Sequence, residues 1–134
     1  MRTIKLFTLA LLLTIGIGNV AHAQTSKQYW KAILEDFCQT YYSNAFDGKK
    51  YIEGSLYVTS VESDESEDIL LIRGRHSYKG KNYGFGRITH EDVSFKAEVS
   101  QTRSGIKIKF WKWYEADPLH DGHWEGPCTR TIVP

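Results

Sequence analysis

The chain has 134 residues, 17 Lys and Arg against 16 Asp and Glu, and 41% hydrophobic residues. That length argues against several domains, and the near-neutral charge against a strongly basic nucleic-acid binder. The first 23 residues carry the pattern of a secretory leader: Arg2 and Lys5 at a basic start, an apolar run over 6–20, and Ala21-His22-Ala23 as a cleavage site. The run is shorter than the ~20 residues of a spanning helix and contains Gly16, Gly18 and Asn19. The expectation is therefore a cleaved leader over 1–23 and a single mature domain over 24–134 with no membrane span. Removing the leader leaves 111 residues, with 15 basic groups against 16 acidic ones and a net charge of −1. The expected address is outside the cytoplasm, in a bacterial periplasm or the extracellular medium, as a soluble chain.

Export changes the reading of the two cysteines. An oxidising compartment favours a Cys38–Cys128 disulfide, closing a 91-residue loop. Such a bridge would contribute about 4–5 kcal/mol in the chain-entropy description.

In chain order, residues 26–46 show a helical stripe: Trp30, Ile33, Leu34, Phe37, Cys38, Tyr41 and Ala45 recur at three- and four-residue steps. Thr25 and Gln28 have capping-box spacing, and Asp47-Gly48 is a stop signal. Beyond Gly48 the period falls to two. Strands are predicted over 51–61, 69–78, 83–89, 93–99 and 106–114, with a last one over 127–133. Lys79-Gly80-Lys81-Asn82 and Arg103-Ser104-Gly105 are turn signals, and connections this short imply antiparallel neighbours. One amphipathic helix followed by five or six antiparallel strands gives an α+β fold with the helix packed on a curved sheet. That element order resembles cystatin-like folds, by analogy only. A small β-barrel with an N-terminal helix is the alternative.

The strand over 106–114 is the most informative segment. Alternation sends Ile106, Ile108 and Phe110 to the core and places Lys107, Lys109, Trp111 and Trp113 on the opposite face. Ammonium groups attract acidic partners, while indoles stack on sugars or partner side chains. A bulge near Phe110-Trp111 would instead turn both tryptophans into the core. A second basic cluster holds Arg73, Arg75, Lys79, Lys81 and Arg87. In its strand Arg73 and Arg75 share one side, and His76 and Tyr78 the other. Arg73, Arg75 and Tyr78 join the candidate binding residues. The acids Glu62, Asp64, Glu65, Glu67 and Asp68 balance these bases, and outside that stretch the mature chain carries 15 bases against 11 acids.

His120, His123 and Glu125, with His90 as a further donor, form the alternative metal set, since imidazole and carboxylate suit zinc. Their spacing matches no firm signature. Motifs for a Ser or Cys nucleophile, a phosphate-cradling glycine loop and H-E-x-x-H are missing from the sequence. The leading functional expectation is a small exported non-enzymatic binding protein, such as an inhibitor or immunity-type partner, with no cofactor. Its partner is another exported protein, or a glycan or other anionic surface, and not nucleic acid. The alternatives are a small metal-dependent hydrolase using His120 and His123, and a structural envelope protein.

Overall fold

Apolar residues three and four apart give the helix one face that must be covered, and the strands supply the cover. The structure, a computed structural model, describes residues 20–80, 84, 86–116 and 118–133. Helix α1 (Val20–Ala45) precedes six strands: β1 (Lys50–Tyr51), β2 (Tyr57–Asp64), β3 (Ile69–Lys79), β4 (Thr89–Thr102), β5 (Gly105–Tyr114) and β6 (His123–Ile132). Residues 1–19 of the expected leader lie outside the described residues, and Ala21-His22-Ala23 fall in the first turns of α1. The helix therefore runs through Thr25, and the Thr25–Gln28 capping box is not its start. Its end is as expected. Asp47 and Gly48 adopt positive φ (52° and 76°), and the Gly48 amide donates to the Ser43 carbonyl at 2.8 Å. Among the described residues no helix is long and apolar enough to cross a membrane.

All the strand pairings are antiparallel. The order is β1-β3-β4-β5-β6, with β2 pairing β3 beside β1, so α1 lies on one face of a curled half-barrel. The segment expected as one strand over 51–61 divides at a turn. There Ser55 Oγ accepts from the Ser77 amide at 2.9 Å, and the Ile52 carbonyl accepts from the Ser55 amide at 3.1 Å. The strand expected over 83–89 is also corrected. Residues 81–83 and 85 lie outside the described residues, Gly84 and 86–88 are not strand, and β4 begins at Thr89. Gly84 and Gly86 both have positive φ, which strands do not use, and Arg87 donates instead to the Gly48 and Gly80 carbonyls.

Trp30, Leu34, Phe37, Cys38, Tyr42 and Phe46 of the helical segment pack on Leu70, Ile72, Phe95, Val99, Ile108 and Phe110 of the sheet. The buried stripe is turned slightly from the expected one, so that Tyr42 is deep and Tyr41 only partly covered. Lys31 Nζ donates to the Leu56 carbonyl at 2.6 Å, and Glu35 accepts from the Tyr51 hydroxyl and the Gly54 amide. These bonds tie the helix to the β1–β2 turn.

The expected disulfide is not formed: Cys38 and Cys128 are two buried free thiols. Cys38 lies on α1 and Cys128 on β6, and a bridge would need their Cα atoms within about 7 Å with the two Cβ directions converging. Both cysteines instead serve as small apolar fillers of the one core. Burial pushes both thiols up, Cys38 further with the charges of Glu35 and Cys128 added. They are protonated and unreactive at neutral pH.

Candidate functional site

Cross-strand register converts the period-two pattern into rows of neighbours, because directly paired residues share a face. On the outer face, away from the helix, one row runs Ser60–Arg73–Lys96–Trp111. The next contains Glu62, Leu71, Glu98, Lys109 and Thr129, and beyond it Lys107 pairs Ser100 and Thr131. On the other side Arg75 pairs Tyr57 and Ser94, and Trp113 pairs Trp124. The fold thus brings Arg73, Arg75, Lys107, Lys109, Trp111 and Trp113 onto one face. Tyr78 is not with them: it is buried on the inner face.

Two residues that sequence reasoning did not select complete this surface. Lys96 Nζ lies 4.9 Å from the centre of the Trp111 ring and 4.8 Å from that of Trp124, a cation between two indoles. Trp124 meets Trp113 edge-to-face, with ring centres 5.2 Å apart. Among the described residues Arg73, Lys96, Lys107 and Lys109 have no ion-pair partner. At the Arg75 end, a groove of about 320 Å³ is lined by Arg75, Glu91, Asp92, Ser94, Trp113 and Glu115. Arg75 is fixed there by donating to the Asp92 carbonyl at 2.7 Å.

A bulge in β6 decides which residues reach which face. Phe110 pairs Cys128 but Lys112 pairs Glu125, so Gly126 and Pro127 together oppose Trp111. Without the extra residue, Glu125 would point outward and Trp124 inward. With it, Trp124 joins Trp113 outside, while Glu125 and His123 face Lys112 and Tyr114 inside. Gly126 suits the bend: its φ is 125°, and a Cβ there would stand 2.8 Å from the Phe110 carbonyl oxygen. The bulge foreseen near Phe110-Trp111 is therefore present, but in the partner strand. The alternation of β5 is unbroken, and Trp111 and Trp113 are both half-buried rather than part of the core, with Trp113 packed against its edge.

The inner face ends in a polar group. Lys112, with no exposed surface, ion-pairs with Glu125, which is 30% exposed. Its ammonium lies 4.9 Å from the ring centre of Tyr78, 5.6 Å from Phe46 and 5.8 Å from Tyr114. His90 stacks on Tyr78 at 4.7 Å and His123 on Tyr114 at 4.9 Å. Burial lowers the Lys112 pKa, and the hydrogen bond and charge of Glu125 only partly restore it. Burial, with the charges of Glu125 and Glu115 added, pushes Tyr78 up to about 12.

Behind this group His76 is fully buried. Its Nδ1 lies 2.8 Å from the Val93 carbonyl and its Nε2 2.7 Å from the Tyr42 hydroxyl. A carbonyl can only accept, so Nδ1 carries the proton, and neutral Nε2 accepts from Tyr42. Burial lowers the His76 pKa to about 4, against a partial opposing effect of the Val93 bond.

The alternative metal set is not assembled. Glu125 is engaged by Lys112, His123 Nδ1 lies 3.0 Å from the Asp121 carbonyl, and the His120 ring meets Tyr114. Among the described residues no group of three or more His, Cys, Asp or Glu side chains could hold a metal ion. Compared with known family models, curated proteins and solved structures, the chain matches none.

Proposed function

We propose that the chain is a small exported, non-enzymatic binding protein, whose outer sheet face docks an acidic segment of another exported protein. The observation that carries this reading is the Arg73–Lys96–Trp111 row: adjacent cations on the outer face that, among the described residues, have no carboxylate at ion-pair distance. Like charges side by side repel, so such a row favours an anionic partner that neutralises it. The partner is a protein rather than a neutral sugar, because Lys96 already occupies the indoles of Trp111 and Trp124. A stacking sugar needs such a ring face free. Positive charge along the Arg73–Lys96 row, with Trp113 for shape, is what this face offers.

A poly-glutamate peptide titrated against tryptophan emission tests the reading. The expected result is saturable binding that weakens as salt rises and is abolished in Arg73→Glu/Lys96→Glu. Absence of binding at low salt would overturn it. A sulfated glycan binding far more tightly than the peptide would move the partner to another class and overturn the protein reading.

A further inference from the structure

The outer face leaves unexplained why the chain buries an ammonium group. Removing a lysine charge from water is costly, and a buried ion pair is often no better for stability than apolar side chains of the same shape. Yet the molecule invests a β-bulge in this arrangement, since only the register shift at Gly126-Pro127 brings Glu125 opposite Lys112. The pair sits at the end of the inner face, just past the last residue of α1. Its walls are the rings of Phe46, Tyr78 and Tyr114. On the solvent side are Glu125, the partly exposed Tyr114 and His90, and the exposed His123. An amine among rings, with a carboxylate bonded to it that itself reaches solvent, has the composition of a carbonyl-capturing site.

We propose that Lys112 and Glu125 form a second binding site, independent of the outer face, which holds a small apolar or aromatic aldehyde or ketone as an imine on Lys112. Glu125 takes a proton from the ammonium and frees the nitrogen lone pair. Nζ bonds to the carbonyl carbon as the carbon–oxygen π bond opens, and Glu125 delivers the proton to the oxygen, giving a hydroxyl. A second proton passes from nitrogen through Glu125 to that hydroxyl, the remaining carbon–oxygen bond breaks, and water leaves. Ammonium plus carbonyl thus becomes protonated imine plus water, with no oxidant or reductant and no change in charge. The product cation keeps Glu125 as its counter-ion, so the site returns to one positive and one negative charge. The lowered pKa of Lys112 assists the first step, and the surrounding rings favour an apolar body on the carbonyl compound.

The test uses the whole chain with benzaldehyde, reduction by borohydride to fix any imine, and peptide mapping by mass. The expected result is an adduct on Lys112 in about tenfold excess over that on Lys107 or Lys109 of the same molecule, which serve as internal controls on the outer face. Lys112→Arg, which keeps the charge, should lose that adduct and retain the weak labelling elsewhere. Glu125→Gln should slow adduct formation and change its pH profile. Labelling of Lys112 no greater than that of the outer-face lysines would overturn the proposal, and the wild-type comparison needs no variant to fold.

Discussion

Lys96 and Lys112 lie in neighbouring rows of one sheet, and both have aromatic rings around their ammonium groups. Lys96 pairs Trp111 on the outer face, whereas Lys112 pairs Phe95 on the inner face. The outer cation is half-buried between two indoles with, among the described residues, no carboxylate at ion-pair distance, while the inner one is fully buried among three rings and paired with Glu125. Ring quadrupoles are enough for a cation that keeps part of its water. Once the water is gone they are not, because the desolvation of an ammonium group far exceeds a cation–π contact. Solvent, rather than the rings, therefore decides which lysine needs an acid.

Glu125→Leu should break that comparison most severely. It leaves Lys112 buried and unpaired, an expected loss of about 3–5 kcal/mol in denaturant unfolding. The double change Lys112→Met/Glu125→Leu should recover most of the loss, since it removes both charges and keeps their volume. If the double variant is as unstable as the single one, the pair contributes shape rather than charge compensation.

His76 sharpens the comparison from the neutral side, as a basic group that escapes the cost of burial by shedding its proton. Its folded pKa of about 4 lies below its ordinary 6.5. Between these values the unfolded chain binds a proton that the folded chain does not, so stability falls as pH drops from 6.5 towards 4. The full contribution is about 3 kcal/mol. Unfolding free energies measured across that window should show the wild type losing more than His76→Phe by about this amount. The variant is less stable at neutral pH, because Tyr42 loses its acceptor, and the informative quantity is the difference in pH slope.

Gly126→Ala attacks the device that assigns residues to the two faces. With φ at 125° and a close carbonyl in the way, a methyl group there should cost about 1–3 kcal/mol. It should disturb both environments together. Tryptophan emission should shift as Trp124 moves from Lys96, alongside loss of the Lys112–Glu125 pair. A change at only one face would show that the bulge does not couple them.

The same residues show why the site was only partly legible. Alternation alone located Ile106, Ile108 and Phe110 inside and Lys107, Lys109, Trp111 and Trp113 outside. Lys112 was given no face, because a lysine between two tryptophans reads as surface until its acid is known. Ser94, Lys96 and Glu98 alternate with core residues, yet the value of Lys96 depends on the strand pairing that puts it beside Trp111. The faces taken by Trp124 and Glu125 were hidden for a stronger reason. A bulge exists only relative to a partner strand, so no pattern within 123–132 states which face they take. The two cysteines misled because compartment chemistry favours a bridge, whereas bridging also requires convergent side-chain geometry between a helix and a strand distant in sequence, which no local pattern states.

Lys96→Met gives the smallest expected effect and the finest test of the contrast. Methionine keeps the packing against Trp111 and Trp124 and removes only the charge, so the expected loss is about 1 kcal/mol or less. Salt should erase most of it, because a half-exposed cation is screened where a buried one is not. Poly-glutamate affinity should fall well beyond that, since Arg73 would then stand alone in its row as the anion-binding group. A stability loss comparable to that of Glu125→Leu would mean that Lys96 is effectively desolvated. Rings alone would then be holding a buried charge, and the distinction between the two lysines would collapse.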